Sequence, residues 1–146
     1  MYKKLMLLFT ACFLAAIAFA QKPVIFQRDG KALSGYDVVS FYSETGPLMG
    51  HDSLSVQWQG ASWLFASAAS KEAFTANPEK FAPQFGGYCA YGMAGGYKAS
   101  TTIDTWTIEN GRLYFNYNKK VKTFWDKDRA GYIEKANSNW PAIKLN

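Results

Sequence analysis

Leu54-Ser55-Val56-Gln57-Trp58-Gln59-Gly60-Ala61-Ser62-Trp63-Leu64-Phe65-Ala66-Ser67-Ala68-Ala69-Ser70-Lys71-Glu72-Ala73-Phe74-Thr75-Ala76 decides the fold class. Leu54, Val56 and Trp58 alternate with polar residues, the period of a half-buried strand. Gln59-Gly60 reads as a hairpin turn and Ser62–Phe65 as the returning strand. Ser67 then stands where an N-cap belongs, ahead of a helix over Ala68–Ala76 that buries Ala69, Ala73 and Phe74. A hairpin feeding straight into a helix, with no regular β-α alternation elsewhere, predicts an α+β fold. Short antiparallel hairpins pack against several short helices in one small domain.

Working outward, Asn110-Gly111 sits between Trp106–Glu109 and Arg112–Tyr117, a second hairpin with a two-residue type I′ turn. Asp29-Gly30 after Val24-Ile25-Phe26 is another turn between β-prone residues. Asp37 precedes the apolar Val38–Tyr42 and reads as an N-cap, or as a ligand or a partner for Cys89. Pro78 fits a first helical position. Lys119–Lys127 reads as an amphipathic helix with Val121, Phe124 and Trp125 inward. Asp128 caps a last helix with Tyr132, Ile133 and Ala136 buried, and Trp140-Pro141 ends the ordered part. Phe81 and Phe85 point inward, and Gly86-Gly87 breaks the chain before Tyr88–Met93, where periodicity does not separate helix from strand.

The chain has 146 residues, enough for one domain. Residues 1–20 read as a secretory signal peptide: Lys3 and Lys4, an apolar Leu5–Phe19, and a small-x-small end at Ala18-Phe19-Ala20. Lipid anchoring through Cys12 is the rival reading. Export to the periplasm or the exterior follows, with residues 21–146 as the domain. Removing Lys3 and Lys4 leaves 14 basic residues against 11 acidic ones, a net charge of +3. That is no nucleic-acid footprint. No later stretch is long and apolar enough to span a bilayer, and oligomeric state is not legible.

Cys89 is then the one cysteine left and His51 the one histidine. An intramolecular disulfide and a zinc site of four Cys or His ligands are both excluded. The core must hold the domain, and five Trp, nine Tyr and eleven Phe supply large rings for it.

Phe65-Ala66-Ser67 with Ala73–Phe81 resembles the core of the YHS domain. Gly35-Tyr36-Asp37-Val38-Val39, Gly86–Tyr91, Gly111–Tyr117 and Ala136–Pro141 resemble the exported, stand-alone branch of that family. The resemblance implies a small α+β fold and an association with metal binding. Metal-binding members carry cysteines around the strand-to-helix junction, and here Ala66 and Ser70 occupy those positions. Neither replaces a thiolate.

Three functional readings follow. A binding module centres a small-ligand site on Cys89, Tyr88, Tyr91 and Asp37. Its metal form places copper on Cys89, Met93 and His51, since thiolate, thioether and imidazole all suit that metal. Cys89 and Met93 are four apart, one helical face. His51 reads as a loop residue. A thiol enzyme would instead activate Cys89 through a neighbouring base or cation. In the third reading Cys89 is a buried hydrophobe and the protein an interaction domain.

Overall fold

The computed structural model describes residues 21–146; the expected signal segment, with Cys12, lies outside them. The chain enters through Ile25, which is buried, and Phe26, whose N–H donates to Gly86 O at 2.8 Å. That bond occupies the backbone, so the first strand starts one residue beyond the β-prone run. β1 (Gln27–Arg28) turns at Asp29-Gly30 into β2 (Lys31–Ala32). β3 (His51–Trp58) and β4 (Ala61–Phe65) form the expected hairpin. The sheet order is β1-β2-β4-β3, and β2 runs parallel to β4 with Lys31 opposite Ser62. β5 (Thr107–Glu109) and β6 (Arg112–Tyr114) make a separate two-stranded sheet. The fold is a small α+β domain, as the sequence predicts.

Turn chemistry accounts for all three hairpins. Asp29-Gly30, Gln59-Gly60 and Asn110-Gly111 each hold both central residues at positive φ, which a type I′ turn requires. His51 falls in β3, opposite Phe65 and exposed, rather than in a loop. A register irregularity between His51 and Ser55 admits it to the strand.

Five α-helices follow among the described residues. α1 (Ala68–Ala76) begins at the Ser67 cap, whose Oγ accepts from Ser70 N at 3.1 Å. Its buried residues are Ser70 and Phe74, and Ala69 is exposed. The Ser70 hydroxyl donates to the buried carboxylate of Asp37, which turns Ser70, not Ala69, toward the interior. α2 (Pro78–Phe81) starts on Pro78, and α3 (Ala90–Ala94) resolves the ambiguous Tyr88–Met93 as helix. α4 (Lys119–Trp125) buries Trp125 completely and leaves Phe124 37% exposed. In so short a helix Trp125 takes the inward position, and Phe124 lies against the ring of Tyr91 and under Lys127.

α5 (Arg129–Ile143) starts on the expected Asp128 cap and runs through Pro141. Proline forfeits one helical hydrogen bond, yet Trp140 and Ile143 both pack on the core and Lys144 N–H reaches Trp140 O at 2.8 Å. Packing overrides the break.

Two apolar clusters hold the domain. One gathers the four-stranded sheet, α1 and β6, with the rings of Trp63 and Phe74 stacked 5.0 Å apart and Phe41 edge-on to Phe115 at 5.5 Å. The other joins α3, α4 and α5 around Phe85, Met93, Tyr114 and Trp125. Replacing one of the buried rings by alanine costs about 3–5 kcal/mol in comparable cores. Lys98, 6% exposed, ties the perimeter: its ammonium donates to Lys22 O, Lys144 O and Asn146 O at 3.0, 3.0 and 2.9 Å. The Tyr88 and Trp140 rings flank it. Burial, and then the like charge of Lys22, lower its pKa from the ordinary lysine value.

Candidate functional site

The segment that carries Cys89 is positioned by a tight turn, Gln84–Gly87, in which Phe85, Gly86 and Gly87 all have positive φ. A Cβ on Gly86 would lie 1.9 Å from Val24 O, so only glycine permits that approach. The turn delivers Tyr88 and Cys89 to the interior. Tyr88 is 3% exposed, and its hydroxyl donates to Pro23 O at 2.7 Å.

Cys89 is 1% exposed and caps α3. Gly92 N–H and Tyr117 N–H donate to its sulfur at 3.3 and 3.2 Å, and the thiol donates to Asn116 Oδ1 at 3.6 Å. Burial pushes the Cys89 pKa up, opposed in part by N–H groups of Gly92, Tyr117 and Tyr91. The thiol is therefore held protonated and out of reach of solvent. Asn116 Oδ1 also accepts from Tyr91 N at 3.2 Å, which fixes the amide orientation. Its Nδ2 is buried without a partner among the described residues, a cost of about 1–3 kcal/mol.

The other expected site residues scatter around this node. Met93 follows Cys89 by one helical turn, but Cys89 is the cap and folds onto the helix end, while Met93 is fully buried in the second cluster. His51 is exposed on β3 in the other part of the fold. Among the described residues no group of three or more His, Cys, Asp or Glu is placed to hold a metal ion. Tyr91 is half-buried, with its ring 5.0 Å from that of Tyr132.

Asp37 takes the capping role and extends it. Its Oδ1 accepts from Val39 N at 2.9 Å, and its Oδ2 accepts from Ala66 N at 2.9 Å and from Ser70 Oγ. At 2% exposure the carboxylate is a rivet between the Val38–Tyr42 turn and the β4–α1 junction. Ala66 and Ser70 are thus both donors to it. Its role here is structural, and among the described residues no hydrogen bond joins it to Cys89.

An open groove lies elsewhere. Three adjoining clefts, of about 220, 750 and 410 Å³, share Gln84 and Arg112. They lie where the Gln84–Gly87 turn, the Asn110-Gly111 hairpin tip, α2 and α5 converge. Asn137 of α5 lines two of the three. Arg112 is exposed, and its guanidinium makes no hydrogen bond or ion pair among the described residues. Cys89, Met93 and His51 line none of these clefts. Gln84, Arg112 and Asn137 come from distant parts of the chain with no motif to link them. The one available signal was Arg112 directly after a turn, where a side chain projects freely.

Compared with known protein families, curated proteins and solved structures, the chain matches none. No helix among the described residues is long and apolar enough to cross a membrane.

Proposed function

We propose that this chain is an exported, YHS-like binding module that holds a small polar ligand in the groove across Gln84, Arg112 and Asn137. The observation that carries this reading is the unpaired guanidinium of Arg112, common to three clefts and flanked by two side-chain amides. Such a constellation of few convergent polar groups in a concave site is how small ligands are oriented. The sealed, protonated thiol favours this over copper binding through Cys89, Met93 and His51 and over thiol catalysis, because both need a reachable thiolate. Export rests on the N-terminal pattern and the YHS resemblance on the quoted segments.

The test is a ¹H–¹⁵N titration of residues 21–146 with a panel of small carboxylates, amino acids and short peptides. The side-chain amides of Gln84 and Asn137 should shift, and Arg112→Gln should suppress the shifts. Responses confined to the amides of Gly92 and Tyr117 would move the site back to Cys89 and defeat this proposal.

A further inference from the structure

Charge is unevenly spread along the groove. Glu109 stands on the hairpin wall beside Arg112, but Arg129 Nη1 neutralises it at 2.7 Å. Glu134 of α5 has no such partner among the described residues. It is exposed and lines the same cleft of about 750 Å³ as Arg112. Glu79, also exposed and without an ion-pair partner among the described residues, lines the two adjoining clefts. Lys144 and Lys80 each line one adjoining cleft, so it is in the largest cleft that the guanidinium of Arg112 is the one cation set against the free carboxylate of Glu134, with the amides of Gln84 and Asn137 beside them.

Each group selects a chemistry. A guanidinium fork grips a carboxylate through two parallel N–H bonds. A carboxylate accepts the three N–H donors of an ammonium. A side-chain amide offers one acceptor and two donors, the complement of a peptide group. A simple anion would be repelled by Glu134, and a simple cation by Arg112. The largest cleft is within the range of small-molecule sites.

We infer that the ligand is a short free peptide, bound as a zwitterion. Its C-terminal carboxylate lies on Arg112, its N-terminal ammonium faces Glu134, and its amides meet Gln84 and Asn137. This rests on the groove being the binding site and adds the class of ligand to it.

Calorimetry on residues 21–146 with trialanine tests it, against N-acetyl-trialanine and trialanine amide. The free peptide should bind, and each cap should weaken it by roughly threefold or more, as for exposed charge pairs. Arg112→Gln should weaken trialanine but not the amide, whose carboxylate is already gone and whose positive charge Arg112 repels. Glu134→Gln should weaken trialanine but not the acetylated peptide, whose ammonium is already gone and whose negative charge Glu134 repels. Both side chains are exposed, so unchanged thermal melts should confirm intact folds. Capped and free peptides binding alike, or either variant losing all three equally, would overturn the inference. So would no binding of trialanine. In that last case free alanine, a zwitterion with no peptide bond, separates the two readings: shifts at Gln84 and Asn137 that vanish in Arg112→Gln keep the groove and reject the peptide, and silence there rejects both.

Discussion

At the scale of single residues, Cys89 and Arg112 exchange the roles their identities imply. The cysteine accepts two backbone N–H groups and is hidden from solvent. Cys89→Ala should leave Gly92 N–H and Tyr117 N–H without an acceptor and cost about 1–3 kcal/mol in urea unfolding. Cys89→Ser, which keeps an acceptor, should cost less. A reactive, low-pKa thiol predicts the opposite order of concern, namely rapid alkylation of the native protein near neutral pH; slow alkylation until unfolding is expected instead. Cys89 attracted notice because a lone thiol is rare and chemically versatile. The sequence could not show that the backbone amide of Tyr117, far along the chain, closes over it beside that of Gly92. Asp37 was legible as a cap, because the carboxylate needs only the next two residues for that role. Its bonds to Ala66 and Ser70 depend on tertiary placement.

At the scale of elements, the same substitution separates two glycines. Gly111 has φ +72°, and a Cβ there meets nothing within 4 Å. Gly111→Ala should therefore cost only the left-handed backbone penalty, about 1–2 kcal/mol. Gly86 has φ +63°, and its Cβ would strike Val24 O. Gly86→Ala should cost about 3 kcal/mol or more, or abolish the cooperative melt, since the collision adds to the same penalty. Equal melting temperatures for the two variants would contradict the role given to the turn. The three hairpins and the caps Asp37, Ser67 and Asp128 could be read in advance because each is specified by adjacent residues. The inward faces of α1 and α4, and the passage of α5 through Pro141, could not. They are decided by Asp37, by Trp125 and by the packing of Trp140 and Ile143, all tertiary facts.

At the scale of the molecule, Tyr42 couples the stability of the fold to alkaline pH. Its hydroxyl donates to Phe81 O at 3.2 Å, and burial pushes its pKa from 10.0 to about 12, with Leu113 and Arg112 pulling the other way. Below pH 10.0 the contribution to stability is whole. As pH rises toward about 12 the unfolded tyrosine ionises first, so the contribution is lost across that window. Tyr42→Phe should be less stable near neutrality by about 0.5–1.5 kcal/mol. Its deficit should shrink as urea midpoints are taken from pH 9 upward to about 11.5. A constant deficit would mean the hydroxyl is not shielded. The groove was the part of this domain least visible beforehand, because it exists only where hairpin tip, turn and two helices meet.

Lys98 binds Lys22, Lys144 and Asn146 through one ammonium. The two extremities of the domain thus share a single knot. Peeling away either one strips the lysine of an acceptor and opens it to water, which loosens its hold on the other. Fraying is a joint event here, and anything that tugs residue 22 is felt at residue 146.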